Sequence, residues 1–152
     1  MSRKSSRPFR VGRSNTGLGL FATEAIRKGQ TIVEYRGRRI TAEQAYEIER
    51  RGGNRYLFEI NKQWTIDGSS RRNLGRYVNH ACLPNAEAIM RRTGKLEFAA
   101  SRWIEPGEEI TIDYGEEYFA LFFAKQGCKC MACSRTQMRK RSSRKSPGRG
   151  KR

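Results

Sequence analysis

Histidine is almost absent from this chain of 152 residues, because His80 is the only one. Cysteine is also scarce: there are four, and three of them, Cys128, Cys130 and Cys133, lie within six positions. Such crowding is more typical of metal-binding thiolates than of a disulfide framework. The chain lacks an apolar run long enough to span a membrane, and no hydrophobic signal region follows its basic N-terminus. We therefore expect a soluble intracellular protein with no membrane partner.

Acidic residues are missing from both ends of the chain. Residues 1–14 contain five Lys or Arg and residues 134–152 contain nine, although the whole chain has a net charge of +17. The segment between them, 15–133, has 18 Lys and Arg against 15 acids, which gives it a net charge of only +3. Both ends lack apolar periodicity, which predicts disordered basic arms. Their charge predicts salt-dependent binding of nucleic acid with little sequence preference.

The length fits one domain, and the middle of the chain has the pattern of a mostly β protein. Short apolar runs separated by turn residues predict strands at 17–22, 29–35, 56–60, 64–67, 96–100 and 109–114. A helix is predicted from Thr41, with Gln44 completing a capping box, to Arg51 before the Gly52-Gly53 pair. A second, shorter helix is predicted at 117–124.

Three motifs occur in a fixed order. The polar segment 79–85 reads Asn-His-Ala-Cys-Leu-Pro-Asn, residues 112–115 read Ile-Asp-Tyr-Gly, and the three clustered cysteines follow. Together with the glycine turn at 17–22 and the segment 106–111, Pro-Gly-Glu-Glu-Ile-Thr, this order resembles the SET-domain family of protein-lysine methyltransferases. The resemblance covers residues 12–133.

This resemblance implies a fold of small curved sheets in which the C-terminal segment threads a loop near 79–85, an exception to the usual unthreaded topology. The domain boundaries expected from it are a basic arm at 1–14, a SET domain at 15–117, a post-SET-like cysteine segment at 118–133 and a basic tail at 134–152.

By the same resemblance, the chain is expected to transfer a methyl group from S-adenosylmethionine to a lysine. Tyr114 corresponds to the catalytic tyrosine and Tyr56 to a residue that hydrogen-bonds the lysine amine. The alternative for both is a tyrosine that only packs in the core. The residues expected to bind the cofactor are Gly17, Leu18, Gly19, Tyr35, Tyr77, Asn79 and His80. A protease dyad of His80 and Cys82 is a poor competitor, since one residue separates them and no oxyanion-stabilising group is evident.

Cys82 joins Cys128, Cys130 and Cys133 to give four thiolates suited to tetrahedral zinc. The family usually places four residues between its second and third terminal cysteines, and this chain has two. A metal-free group of thiols is the alternative. The family often has an aromatic residue two positions before the catalytic tyrosine. Ile112 stands there in this chain, which predicts room for di- or trimethylation.

The predicted substrate is a lysine in a basic segment of a histone-like or nucleoid protein, bound as an added strand. The location would be the cytoplasm or nucleoid in a bacterium, and the nucleus or chromosome in a eukaryote or after delivery into a host. A different class of function is a non-catalytic basic binding module on a degenerate SET fold. The joint presence of Tyr114, Asn79 and His80 favours the enzyme.

Overall fold

The computed structural model describes residues 7–54, 56–115 and 128–133. Its elements in chain order are strands β1 (Phe9–Ser14), β2 (Gly17–Ala22), β3 (Thr31–Glu34) and β4 (Arg38–Thr41), helix α1 (Ala42–Arg51), strands β5 (Leu57–Glu59) and β6 (Trp64–Asp67), a 3-10 helix (Leu74–Tyr77), and strands β7 (Asn79–His80), β8 (Ala86–Met90), β9 (Leu96–Ala100) and β10 (Glu109–Ile112). The prediction of a mostly β fold with short helices is confirmed. None of the helices in these ranges is both long and apolar enough to cross a membrane.

The strands form three small sheets, with orders β1-β2-β10-β7, β3-β9-β8 and β4-β6-β5. In the first sheet, β10 runs antiparallel to β2 and parallel to the short strand β7. The last strand of the domain therefore lies between an early hairpin and the segment that begins at Asn79. This arrangement decides which side chains meet at the end of β10.

The prediction of a disordered arm is wrong for Phe9–Ser14. These residues form β1, which pairs with all six residues of β2 from Phe9 opposite Ala22 to Ser14 opposite Gly17. The charged side chains Arg10 and Arg13 stay exposed, while Phe9 is buried. The backbone hydrogen bonds of a hairpin order this segment even though its side chains lack an apolar period. Residues 1–6 and 134–152 lie outside the described residues.

The other elements agree with the sequence in part. Helix α1 begins after Thr41, whose side chain accepts a hydrogen bond from the Gln44 backbone in the predicted capping box, and it ends at Gly52. Strands β4, β7 and β8 are not predicted by the pattern, since β4 has only Ile40 buried and β8 is rich in Ala and Glu. The second predicted helix, at 117–124, lies outside the described part of the chain.

The core lies between the three sheets. Its largest fully buried side chains include Leu20 of β2, Phe98 of β9 and Ile110 of β10. Phe98 also contacts Tyr35 and Phe58, with ring centroids 5.7 and 6.1 Å away. Burial of such large apolar side chains contributes about 2 kcal/mol each. The core thus fixes β2 and β10 side by side, and with them the residues that follow β10.

Candidate active site

The segment 79–85 is fastened along β10. Its first two residues form β7, and the Ala81 N–H continues the pairing by donating to the Ile112 carbonyl at 3.0 Å. Asn85, which is 3% exposed, closes the segment: its side-chain amide donates to the Glu109 carbonyl at 2.8 Å and accepts from the Thr111 N–H at 2.9 Å. One buried side chain therefore satisfies two backbone groups of β10.

Tyr114 is held at two points just beyond β10. The predicted strand 109–114 ends at Ile112, so Tyr114 leaves the sheet and lies half-buried. Its hydroxyl donates to the Val78 carbonyl at 2.6 Å, and its backbone N–H donates to Nδ1 of His80 at 3.1 Å. The rings of His80 and Tyr114 are 5.4 Å apart between centroids. These contacts fix the direction of the tyrosine ring before any ligand binds.

His80 has both ring nitrogens in contact with the protein. Besides Nδ1 with the Tyr114 N–H, Nε2 lies 3.5 Å from Sγ of Cys82. Burial lowers the pKa of His80, while the nearby Asp113 carboxylate opposes that shift. Burial thus favours the neutral form of the ring. The cofactor contact that the sequence predicts for His80 stays a prediction, and in the structure the ring lies against Tyr114 and Cys82.

Asn79 connects the glycine turn to β10. Its side-chain amide donates to the Leu18 carbonyl at 2.9 Å and to the Glu109 carboxylate at 2.8 Å. A Cβ at Gly19 would collide with the Glu109 carboxylate and lie 3.1 Å from the Asn79 amide, so a larger residue there would displace the Glu109 side chain. Gly17 has a φ of 120°, which also favours glycine. Leu18, Gly19 and Asn79, predicted separately from the sequence, are thus in one place.

Glu109 is a residue that sequence reasoning missed. It lies half-buried between Gly19 and Asn79. Its position at the start of an alternating strand gave no sign of this role, because the strands that bring it to Asn79 come from elsewhere in the chain.

The three other predicted tyrosines have contacts of their own. Tyr35 is in the core, 6% exposed, with its hydroxyl donating to the Tyr56 carbonyl at 2.7 Å, which favours a packing role. Tyr56 and Tyr77 flank the guanidinium of Arg76, which lies 3.9 Å and 5.5 Å from their ring centroids. Arg76 was not singled out from the sequence. Tyr77 directly precedes Val78, so this second group connects to Tyr114 through one residue.

The four cysteines converge although they are up to 51 positions apart. Their sulfur atoms all lie within 4.8 Å of one another. Sγ of Cys82 is 3.8 Å from that of Cys128 and 3.6 Å from that of Cys133. Zinc–sulfur bonds of about 2.3 Å place the sulfurs of a tetrahedral site about 3.8 Å apart, so the cluster fits zinc. The short spacing between Cys130 and Cys133 does not prevent convergence.

The thiols of this cluster differ in acidity when no metal is bound. Burial raises the pKa of Cys82 and of Cys128. Burial also acts to raise the pKa of Cys130, but backbone hydrogen bonds from Cys82 and Cys133 outweigh it and bring that pKa to about 6. The cluster can therefore offer one thiolate first, as a metal ligand requires.

The segment 128–133 also contacts the first hairpin. The Asn15 side chain donates to the Met131 sulfur at 3.3 Å. Asn15 lies in the turn between β1 and β2, immediately before the glycine turn. The cysteine segment therefore lies against both the 79–85 segment and the β1–β2 turn.

Comparison with models of known protein families identifies the family of this chain. Residues 17–115 match the model described as "SET domain". The chain belongs to the SET-domain family. The match begins at the glycine turn and ends at Gly115, directly after Tyr114, so this SET domain contains both groups of residues described above except the terminal cysteines.

Similar proteins carry the same domain in longer chains. A "Putative histone-lysine N-methyltransferase ASHH4" of Arabidopsis thaliana is 35% identical over 131 residues, which are 80% of this chain and 36% of that protein. An H3 lysine-4 specific histone-lysine N-methyltransferase of Schizosaccharomyces pombe is 38% identical over 121 residues, 74% of this chain and 13% of that protein. The chain thus spans about a third or less of these relatives.

A solved structure shows the same fold. The crystal structure of the Chaetomium thermophilum polycomb repressive complex 2 contains a chain that aligns with a TM-score of 0.65 and 30% identity, over 74% of this chain and 16% of that one. The prediction of a SET-domain fold is confirmed.

Proposed function

We propose that this SET domain is an S-adenosylmethionine-dependent protein-lysine N-methyltransferase. The observation that carries the proposal is the fixed position of Tyr114, whose hydroxyl and backbone are held by Val78 and His80 at the end of β10. The names of the relatives given above, which are histone-lysine N-methyltransferases, support it.

The residues near the glycine turn fit the charge of this cofactor, which has a sulfonium and an ammonium group. The Leu18 carbonyl and the Glu109 carboxylate, both in contact with the Asn79 amide, offer acceptor oxygens to such cations. Gly17 and Gly19 keep side chains away from this face of the backbone. Bound there, S-adenosylmethionine supplies the methyl group as an activated electrophile.

Tyr114 acts on the reacting lysine through its hydroxyl oxygen. Because its proton is donated to the Val78 carbonyl, the lone pairs of that oxygen remain directed toward other partners. An electron-rich oxygen stabilises positive charge at the transferring methyl and orients the amine for an in-line approach. The Tyr56 hydroxyl is the proposed second acceptor for the amine.

The lysine must be neutral to attack. A primary amine that enters an apolar site beside a sulfonium cation is disfavoured in its charged form by desolvation and by like charge, so its pKa falls. His80 is not placed to act as the base, since both its nitrogens are already in contact with Tyr114 and Cys82. We infer that the site promotes loss of the proton to solvent without a dedicated base.

We propose that zinc occupies the four-cysteine cluster. Cys82 would supply the ligand from the 79–85 segment, and Cys128, Cys130 and Cys133 would supply the other three. The sulfur separations favour this over unrelated free thiols. A bound ion would fasten the terminal segment to the 79–85 segment, which pairs with β10.

The proposed substrate is a lysine in a basic segment of a histone-like protein. The relatives from Arabidopsis thaliana and Schizosaccharomyces pombe are eukaryotic proteins, which favours a chromosomal location over a bacterial nucleoid. The basic arms, at 1–6 and 134–152, would add affinity for nucleic acid by releasing its counterions.

The deciding experiment uses labelled S-adenosylmethionine, a histone mixture and three forms of the full chain. We expect wild type to transfer label and Tyr114→Phe to lose roughly 100-fold in rate, because the electron-rich hydroxyl oxygen is removed. Tyr46→Phe is the matched control, since Tyr46 is 63% exposed on α1, and its rate should be that of wild type. Mass spectrometry of the modified lysine should show di- or trimethylation if Ile112 leaves the expected room.

The non-catalytic binding module is the alternative outcome of this experiment. A wild-type chain that binds cofactor or histone but transfers no label would support it. Equal activity of the Tyr114→Phe and wild-type chains would remove the assigned role of the tyrosine.

A further inference from the structure

His80 lies between two features that the proposed mechanism treats separately. Its side chain is only 8% exposed. On one side Nδ1 accepts the backbone N–H of Tyr114 at 3.1 Å, and on the other side Nε2 lies 3.5 Å from Sγ of Cys82. A buried imidazole with a distinct partner at each nitrogen has one orientation and one preferred proton position.

The contacts decide which nitrogen holds the proton. A backbone N–H can only donate, so Nδ1 must accept and therefore carries no proton. The proton of the neutral ring is then on Nε2, where it points at the sulfur of Cys82. The reverse tautomer would place a proton on Nδ1, facing the exposed Asp113 carboxylate at 3.6 Å, and would leave the Tyr114 N–H without this acceptor.

We propose that His80 is a positioning residue that links the cysteine cluster to Tyr114, as an Nε2-protonated imidazole that donates to Cys82 and accepts from the Tyr114 backbone. Its meaning for catalysis depends on the proposed methyltransferase function, whereas the linkage itself does not.

The linkage connects the state of Cys82 to the position of Tyr114. A metal-bound thiolate at Cys82 is a stronger acceptor than a thiol, which strengthens the Nε2–H contact and fixes the ring. A fixed ring keeps Nδ1 aimed at the Tyr114 N–H, and the tyrosine hydroxyl then stays on the Val78 carbonyl. Contacts of this kind around metal ligands change metal affinity or activity by about 10- to 100-fold.

The tautomer can be measured directly, because the chain has a single histidine. Long-range ¹H–¹⁵N correlation spectra of the ¹⁵N-labelled full chain report on one imidazole only. We expect Nδ1 to have the shift of an unprotonated nitrogen and Nε2 that of a protonated one. The opposite pattern, or two populations in fast exchange, would overturn the assignment.

Two isosteric variants separate the two contacts. In His80→Asn the amide oxygen lies near the position of Nδ1, so the acceptor for Tyr114 is kept and the contact with Cys82 is lost. In His80→Gln the amide nitrogen reaches the position of Nε2, so the contact with Cys82 is kept and the acceptor for Tyr114 is lost.

Zinc retention against a chelator and the kinetics of methyl transfer should respond differently in the two variants. We expect His80→Asn to weaken zinc retention about 10-fold and to lower kcat by a smaller factor, because the contact with Cys82 that fixes the side chain is lost. We expect His80→Gln to lower kcat about 10-fold and to weaken zinc retention by a smaller factor, because the acceptor for Tyr114 is lost. Equal losses in both assays for both variants would indicate a merely structural residue and overturn the linkage.

Failure of this linkage and failure of the proposed function give different results. A chain that transfers no methyl group but has the expected tautomer and the weaker zinc retention of His80→Asn keeps the linkage and loses the function. A chain that transfers methyl groups normally but has the proton on Nδ1 keeps the function and loses the linkage. If both variants fail to fold, as judged by thermal melting, the wild-type spectrum still decides the question.

Discussion

Single half-buried polar residues hold the active region together. Tyr114, His80 and Asn79 each contact parts of the chain at least 30 positions away. Such side chains cost free energy when one partner is removed, because the other is left unpaired in the protein interior. The same property makes the region sensitive to single substitutions outside the reacting groups.

Asn85 allows a test, at the residue scale, of the cost of removing one partner of a buried hydrogen bond. We expect Asn85→Ala to lower the free energy of unfolding by about 3 kcal/mol, since the Glu109 carbonyl and the Thr111 N–H would both lose their buried partner. Asn61→Ala is the matched control, because the Asn61 side chain also accepts hydrogen bonds from two backbone N–H groups, those of Gln63 and Trp64. Asn61 is exposed, so water can replace its side chain, and we expect the free energy of unfolding to fall by about 1 kcal/mol or less. Urea unfolding measures both, and similar losses would contradict the argument.

At the scale of elements, β10 organises the site because it touches β2 on one side and β7 on the other. In the sheet β4-β6-β5, Asp67, the last residue of β6, makes polar contacts with the neighbouring loops. Asp67 accepts hydrogen bonds from the Asn54 side chain at 3.2 Å and from the Ser69 backbone at 3.1 Å. These bonds order the chain on both sides of β5 and β6.

The hydrogen bonds to Asp67 predict that the stability of the fold depends on pH. Burial acts to raise the pKa of Asp67, but hydrogen bonds from Ser69 and Asn54, helped by Arg38, outweigh it and hold the pKa below its usual value. The folded form therefore favours the carboxylate, and its contribution to stability is present above the unfolded pKa, about 4, and is lost as pH falls through the folded pKa. Urea midpoints from pH 6 downward, each compared between wild type and Asp67→Asn, should differ most at the top of this range and converge at acid pH. A constant difference would contradict this assignment.

At the scale of the whole molecule, the cysteine cluster joins Cys82 to the segment 128–133. We expect the purified chain to hold one zinc ion, and chelation to lower its melting temperature, because binding energy for the folded form is also folding energy. Elemental analysis and thermal melting with and without chelator measure this. Cys133→Ser should lose the ion, while Met131→Leu, a change at an exposed position of the same segment, should keep it. A metal-free wild type with full stability would exclude the proposal.

The basic tail permits a second test at this scale. Deleting residues 134–152 removes nine Lys or Arg and no acid. We expect weaker binding to DNA or RNA and a shallower dependence of log K on log salt, by about 0.9 for each lost phosphate contact on duplex DNA. Retention measured at several salt concentrations shows both effects. An unchanged slope would assign the nucleic-acid contacts, if any, to the folded domain.

Local patterns were enough for several elements. The capping box at Thr41 and the alternating runs of β2, β6 and β9 are local features, and the structure has those elements at the predicted places. Strands β4, β7 and β8 were missed because they are short, charged or rich in helix-forming residues, and only pairing with a neighbour makes them strands. The disorder expected at Phe9–Ser14 was wrong for the same reason.

The sequence by itself determined the family motifs, the choice of Tyr114, Asn79 and the four cysteines, and the mostly β class, because each depends on residue types at fixed spacings. Only the tertiary structure decided that His80 faces Cys82 and Tyr114, that Tyr35 lies in the core, and that Glu109 lies beside Gly19. These placements depend on β10 lying between β2 and β7, a pairing of segments 30 to 90 positions apart. The spacing of residues along the chain does not predict which distant segments pair. The packing of the sheets decides that pairing.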